Sequence, residues 1–142
     1  MEKKLKHLEF IQNVISRMAN NLFLLKGWVV TLVAALLALL ASNNAGTQFI
    51  FIALVPIIIF WLLDGYFLSQ ERMYRDLYKD VAKKQEDQID FSMDASKYNT
   101  GRNRWLNCFF SKTLVIFYGL LLLLFLIIIY YNFDIKISIS IG

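Results

Sequence analysis

Apolar positions in this chain come in long unbroken blocks, separated by stretches in which they recur every three or four residues. The longest blocks are LFLLKGWVVTLVAALLALLA at 22–41 and FIFIALVPIIIFWLLDGYFL at 49–68, joined by the charge-free SNNAGTQ. Each block has 20 residues, and as a helix each spans about 30 Å, the thickness of a hydrocarbon core. The pattern predicts two membrane helices paired as an antiparallel hairpin. Ahead of them, in 1–21, Leu5, Leu8, Ile11, Ile15 and Met18 lead into Leu22 and mark one face of an amphipathic helix, because steps of three and four return to the same side. The other face carries Lys3, Lys4, Lys6, Gln12, Asn13, Ser16 and Arg17. Two placements fit that pattern: a helix lying among lipid headgroups, or a helix packed on the chain's own polar part.

The helical period continues past the second span into 69–90, through Phe67, Met73 or Tyr74, Leu77 and Val81. Charges of opposite sign fall four apart there, Glu71 with Arg75, Arg72 with Asp76 and Asp80 with Lys84, which predicts a solvated cytoplasmic helix supported by such pairs. Residues 91–104 lose the period in Ser, Asn, Thr and Gly and read as a cytoplasmic loop. A third span is expected over 109–131, interrupted at Ser111–Lys112–Thr113 and otherwise rich in bulky Leu and Ile. In the tail 133–142, isoleucine at 135, 137, 139 and 141 alternates with Lys136, Ser138 and Ser140, the period of a short β-strand. A lone strand leaves its backbone groups unpaired, so Ile135, Ile137 and Ile139 are expected either to pair with other copies or to rest on the outer leaflet. The expected fold is one domain of the all-α membrane class. It has three transmembrane helices, an N-terminal amphipathic helix, a cytoplasmic extension of the second span and a short C-terminal β-strand.

Small residues pattern the first span. Gly27, Thr31, Ala35, Ala38 and Ser42 fall at helical intervals, and in lipid such a stripe lets another helix approach closely. That helix is either the second span or another subunit. Pro56 sits mid-span in the second block and is expected to kink it, since proline removes a backbone hydrogen bond.

Each of the first two spans carries one charge. Lys26 lies 19 residues before Ala45 in the loop (45 − 26) and Asp64 lies 19 after it (64 − 45), so the hairpin places both at one depth, about 6–7 Å inside the membrane edge. An unpaired ion there is costly and an opposite partner lowers the cost, so an intramembrane Lys26–Asp64 ion pair is expected. In a ring of copies this level would form a polar collar.

Charge then orients the chain. Of 15 Lys and Arg, five precede or begin the first span, nine lie between Arg72 and Lys112, and only Lys136 follows the third. By the positive-inside rule the N-terminus and middle section are cytoplasmic and the first loop and C-terminus extracytoplasmic, in a multi-pass membrane protein. The same rule accounts for the net charge of +4 without nucleic acid. Twenty-one mostly polar residues before the first block argue for an anchor retained rather than a cleaved signal.

Catalytic chemistry has few residues to draw on. One cysteine, Cys108, and one histidine, His7, among 142 residues leave no internal disulfide and no Cys/His cluster for a metal. No phosphate loop, nucleophile elbow or HExxH motif appears. Neither an enzyme nor a cofactor is expected. The remaining polar constellation is Lys97, Tyr98, Asn99, Arg102, Asn103 and Arg104, in which Lys97, Tyr98, Arg102 and Arg104 are the candidate anion or ligand contacts. Contact with lipid phosphates under the positive-inside rule is the alternative.

RMANNLFLLKGW, FWLLDGYFLSQERMYRDLY and FSMDASKYN followed by WLNCFFSKTL and FYG together resemble a group of small bacterial three-span membrane proteins loosely associated with anti-phage defence loci. The resemblance covers most of the chain and implies a membrane effector or sensor that responds to infection. Its strings carry no catalytic role, so it implies a family rather than an activity. The expected function is a non-enzymatic, oligomeric inner-membrane effector, pore-forming or membrane-perturbing. Its partners would be the lipid bilayer, further copies of itself and a cytoplasmic protein or nucleotide-like signal. The alternative is a passive anchor or small subunit of a larger transport or signalling complex.

Overall fold

The computed structural model describes residues 1–42 and 48–141; the expected turn at 43–47 lies outside the described residues. Helix α1 runs Glu2–Ala41, α2 runs Gln48–Lys83, a short α3 covers Trp105–Phe109, and α4 runs Lys112–Ile141. Between α2 and α3 lie three single turns of 3-10 helix, Glu86–Gln88, Ser96–Tyr98 and Gly101–Asn103. α1, α2 and α4 are each long and apolar enough to cross a membrane. Helix α2 is central and packs against α1, α3 and α4.

The amphipathic segment 1–21 and the first span are one continuous helix rather than two elements. No glycine or proline interrupts 1–26, so the backbone hydrogen-bond ladder has no reason to break where polarity changes. Of the two placements open to 1–21, the apolar face takes the second. Ile11 and Ile15 of α1 bury against Met73, Leu77 and Val81 of α2 and Ala95 of the loop, with Leu8, Tyr74 and Tyr78 around them. Full burial of an aliphatic side chain is worth about 1.5–3 kcal/mol, so this cluster holds the polar halves of α1 and α2 together. The helix start is capped from a distance. The Glu86 carboxylate accepts from the backbone N–H groups of Lys3 and Lys4 at 2.7 and 3.3 Å and pairs with the terminal ammonium of Met1, where free N–H groups and the helix dipole favour an anion.

The extension of α2 ends at Lys83 instead of continuing to 90, and only one side of it, with Arg75, Lys79 and Lys83, is exposed. Glu71 pairs with Arg75 at 2.6 Å, but Arg72, Asp76 and Asp80 turn away from their neighbours four residues along and hold the loop instead. Arg72 donates to the Arg102 carbonyl at 2.8 Å, Asp76 accepts from Asn103 Nδ2 at 2.6 Å, and Asp80 accepts from Tyr98 Oη at 2.6 Å and Lys97 Nζ at 3.1 Å. Segment 91–104 is thus a docked strap with a positive φ at Gly101, where glycine meets no steric penalty.

The loop anchor has a definite pH dependence. The Tyr98 hydroxyl, then the Lys97 ammonium, hold the Asp80 carboxyl below its ordinary 3.8. A depressed folded-state value means the contribution is complete above the ordinary value and is lost only as pH falls through the lower one. Amide exchange at Tyr98, corrected for its intrinsic rate, should stay flat above the aspartate range and rise below it. Asp80→Asn should show the fast rate at every pH.

The C-terminal strand is not formed. α4 is helical through Ile141, and Ile135, Ile137 and Ile139 are exposed. A single strand has no partner for its backbone groups, whereas continuing a helix satisfies them within the segment. At about 100° per residue, alternate isoleucines fall on opposite sides of that helix and make no common face. α2 continues without interruption through Pro56, and the third apolar stretch splits at Phe110–Ser111 into α3 and α4.

Candidate intramembrane charge site

Lys26 and Asp64 lie on neighbouring helices at one level. Lys26 Nζ donates to both Asp64 oxygens, at 3.0 Å to Oδ1 and 2.7 Å to Oδ2. The carboxylate is wholly buried, and the lysine is about a quarter exposed. A third donor comes from α4: the Tyr118 hydroxyl bonds Asp64 Oδ2 at 3.0 Å, and Tyr118 is itself fully buried. The neighbouring Phe117 ring lies 5.7 Å from Lys26 Nζ, a further favourable contact for the cation.

Aromatic stacking sets this geometry. Trp61, one helical turn before Asp64, stacks on Tyr118 with ring centroids 5.4 Å apart and on Phe109 at 4.6 Å, both nearly parallel. Its indole N–H donates to the Phe109 carbonyl at 2.9 Å. Gly65 makes room for α3, since a Cβ there would stand 3.2 Å from the Phe109 backbone. Around the site, Val29 and Val33 of α1, Ile57 of α2 and Leu114 of α4 form an apolar cluster that keeps water away. One carboxylate therefore ties all three long helices together, with three charge-assisted bonds in a dry setting.

Enclosure limits what the pair can do. Asp64 has no exposed surface, so the polar collar expected in a ring would be offered by Lys26 alone. Tyr118→Phe removes one donor to a buried anion and should lower stability by about 1.5–3 kcal/mol, measured by thermal unfolding in detergent. No change would show that the hydroxyl is not bonded to Asp64.

The other residues singled out in the sequence scatter. Lys97 and Tyr98 are taken up by Asp80, and Asn103 is buried with its amide donating to Asp76 and to the Tyr98 carbonyl. Arg102 contributes its carbonyl to Arg72, while Arg104 lines a separate cavity. The four do not form one patch. Gly27, Thr31, Ala35 and Ala38 are all exposed, and neither the second nor the third span covers them. Cys108 is buried beside Arg72, and that burial pushes its thiol up. Comparison of the chain with known protein families, curated proteins and solved structures finds no match.

Proposed function

We propose that the chain is a non-enzymatic, oligomeric effector of the bacterial inner membrane. It perturbs the membrane or forms a pore when its cytoplasmic part receives a signal. The observation that supports this best is the uncovered stripe at Gly27, Thr31, Ala35 and Ala38. Its polar group is already satisfied, because Thr31 Oγ1 donates to the Gly27 carbonyl at 2.9 Å. A smooth small-residue face gains little from acyl chains and much from a close-packed helix, and identical copies supply such a helix.

The long helices support the signalling half of the proposal. α1 has 40 residues and α2 has 36, so α1 is about 60 Å long, twice the hydrocarbon core. No joint separates the polar halves from the spans, and a displacement at the polar end is carried into the membrane. The distribution of Lys and Arg supports an N-terminus inside and a C-terminus outside. The resemblance to small three-span proteins supports a setting in anti-phage defence.

The test is controlled expression of the chain, alone and together with its natural neighbours as a source of the signal, while membrane potential is followed with a voltage-sensitive dye. Depolarisation in step with membrane accumulation is expected. Full potential at high accumulation in both settings would leave the passive anchor or small-subunit reading in its place.

A further inference from the structure

Arg104 is the one loop cation that lines a cavity among those described, and like Arg102 it has no carboxylate partner among the described residues. Lys97, by contrast, is held by Asp80. Arg104 lines a cavity of about 420 Å³ together with Tyr66, Gln70, Asn99, Trp105 and Asn107. The guanidinium offers a planar fork that matches two oxygens of a phosphate, and the Gln70 and Asn99 amides add donors. Asn107 is committed, its amide donating to the Gly101 carbonyl.

Position decides what kind of phosphate fits. The Trp105 indole donates to the Leu62 carbonyl at 3.1 Å, and Phe109 packs on Gly65, so the cavity lies where the apolar stretch of α2 ends. Tyr66 and Leu106 line it and are exposed. Tyrosine and tryptophan favour the headgroup level of a bilayer, and an apolar rim on a cationic cavity suits a ligand with an anionic head and acyl chains. A second cavity of about 290 Å³ adjoins through Gln70, Met73 and Asn99 and contains Asp94. Ser96 bonds the Asp94 carboxylate and holds its carboxyl below the ordinary range. That negative charge disfavours further phosphates, which favours one phosphodiester at the Arg104 end over a polyphosphate.

We propose that this cavity binds the phosphate of a phospholipid headgroup, with Arg104 as its anchor, the Gln70 and Asn99 amides as further donors, and the acyl chains lying over Tyr66 and Leu106. The site replaces the four-residue patch expected from sequence and stands whether or not the effector reading does.

The test is native mass spectrometry of the full chain, stripped of lipid in mild detergent and titrated with phosphatidylglycerol. Arg104→Gln should weaken binding by about tenfold, the loss of a charge-assisted contact. Lys97→Gln, a neighbouring cation with its own partner, should bind as the unsubstituted chain does. Arg104 is exposed, so circular dichroism should show both variants folded. Inorganic phosphate or ATP in millimolar excess should leave the lipid bound. Equal affinity of Arg104→Gln and the unsubstituted chain, or an equal loss in Lys97→Gln, would overturn the site. Displacement by phosphate or ATP would overturn its assignment to lipid.

Discussion

Asp64→Ala is expected to lower the stability of the folded chain by about 3–5 kcal/mol, the cost of breaking a buried ion pair by removing one partner. The carboxylate accepts two bonds from Lys26 and one from Tyr118 and has no exposure. Without it, the Lys26 ammonium and the buried Tyr118 hydroxyl lose their shared acceptor at membrane depth. The defect should spread to all three long helices, since the carboxylate is where they meet. Adding Lys26→Leu to Asp64→Ala removes the stranded ion, and most of the loss should be recovered, because an apolar replacement of a whole buried pair is close to neutral. Exchanging the charges, Lys26→Asp with Asp64→Lys, should give a chain more stable than either single change. Melting in detergent micelles reads all five forms, and a double exchange no better than its singles would contradict the pairing.

The second large effect concerns the exposed stripe. Gly27→Leu combined with Ala35→Leu should bring the depolarisation expected of the proposed effector down to background while leaving the chain folded. Neither position packs within the chain: Ala35 is exposed, and a Cβ at Gly27 would meet nothing within 4 Å. The added side chains therefore cost the folded chain little, and glycine replacement mid-helix favours it by about 0.5–1 kcal/mol. Between copies, the same branched side chains would hold two backbones apart. Full depolarisation by a stably inserted double variant would place the contact elsewhere.

Much of the fold is legible because a membrane helix must satisfy its own backbone. Two 20-residue blocks with a charge-free connection can do little else, and equal spacing of Lys26 and Asp64 from the loop sets their common depth. Tyr118 was within reach of the same reasoning. It stands six residues after Lys112, about 9 Å deeper along the helix, and is the first hydroxyl past Thr113. What spacing does not reveal is which side of α4 meets α2, and that is settled by the Trp61 stack and the room at Gly65. The polar half was harder to read. Helical spacing pairs Arg72 with Asp76 and Asp80 with Lys84, yet a bond across a fixed strap wins over an exposed pair worth a few tenths of a kcal/mol. No local pattern announces that 91–104 folds back. The isoleucine alternation misled for a related reason: period reports which face could be apolar, but the backbone partner decides whether a strand exists.

The proposed effector requires association between identical copies, and the mass of the full chain in lipid nanodiscs is the measurement that decides it. One discrete multiple of the protomer mass is expected, reduced to the single protomer by Gly27→Leu with Ala35→Leu. A monodisperse single protomer for the unsubstituted chain would contradict the oligomer and the effector built on it.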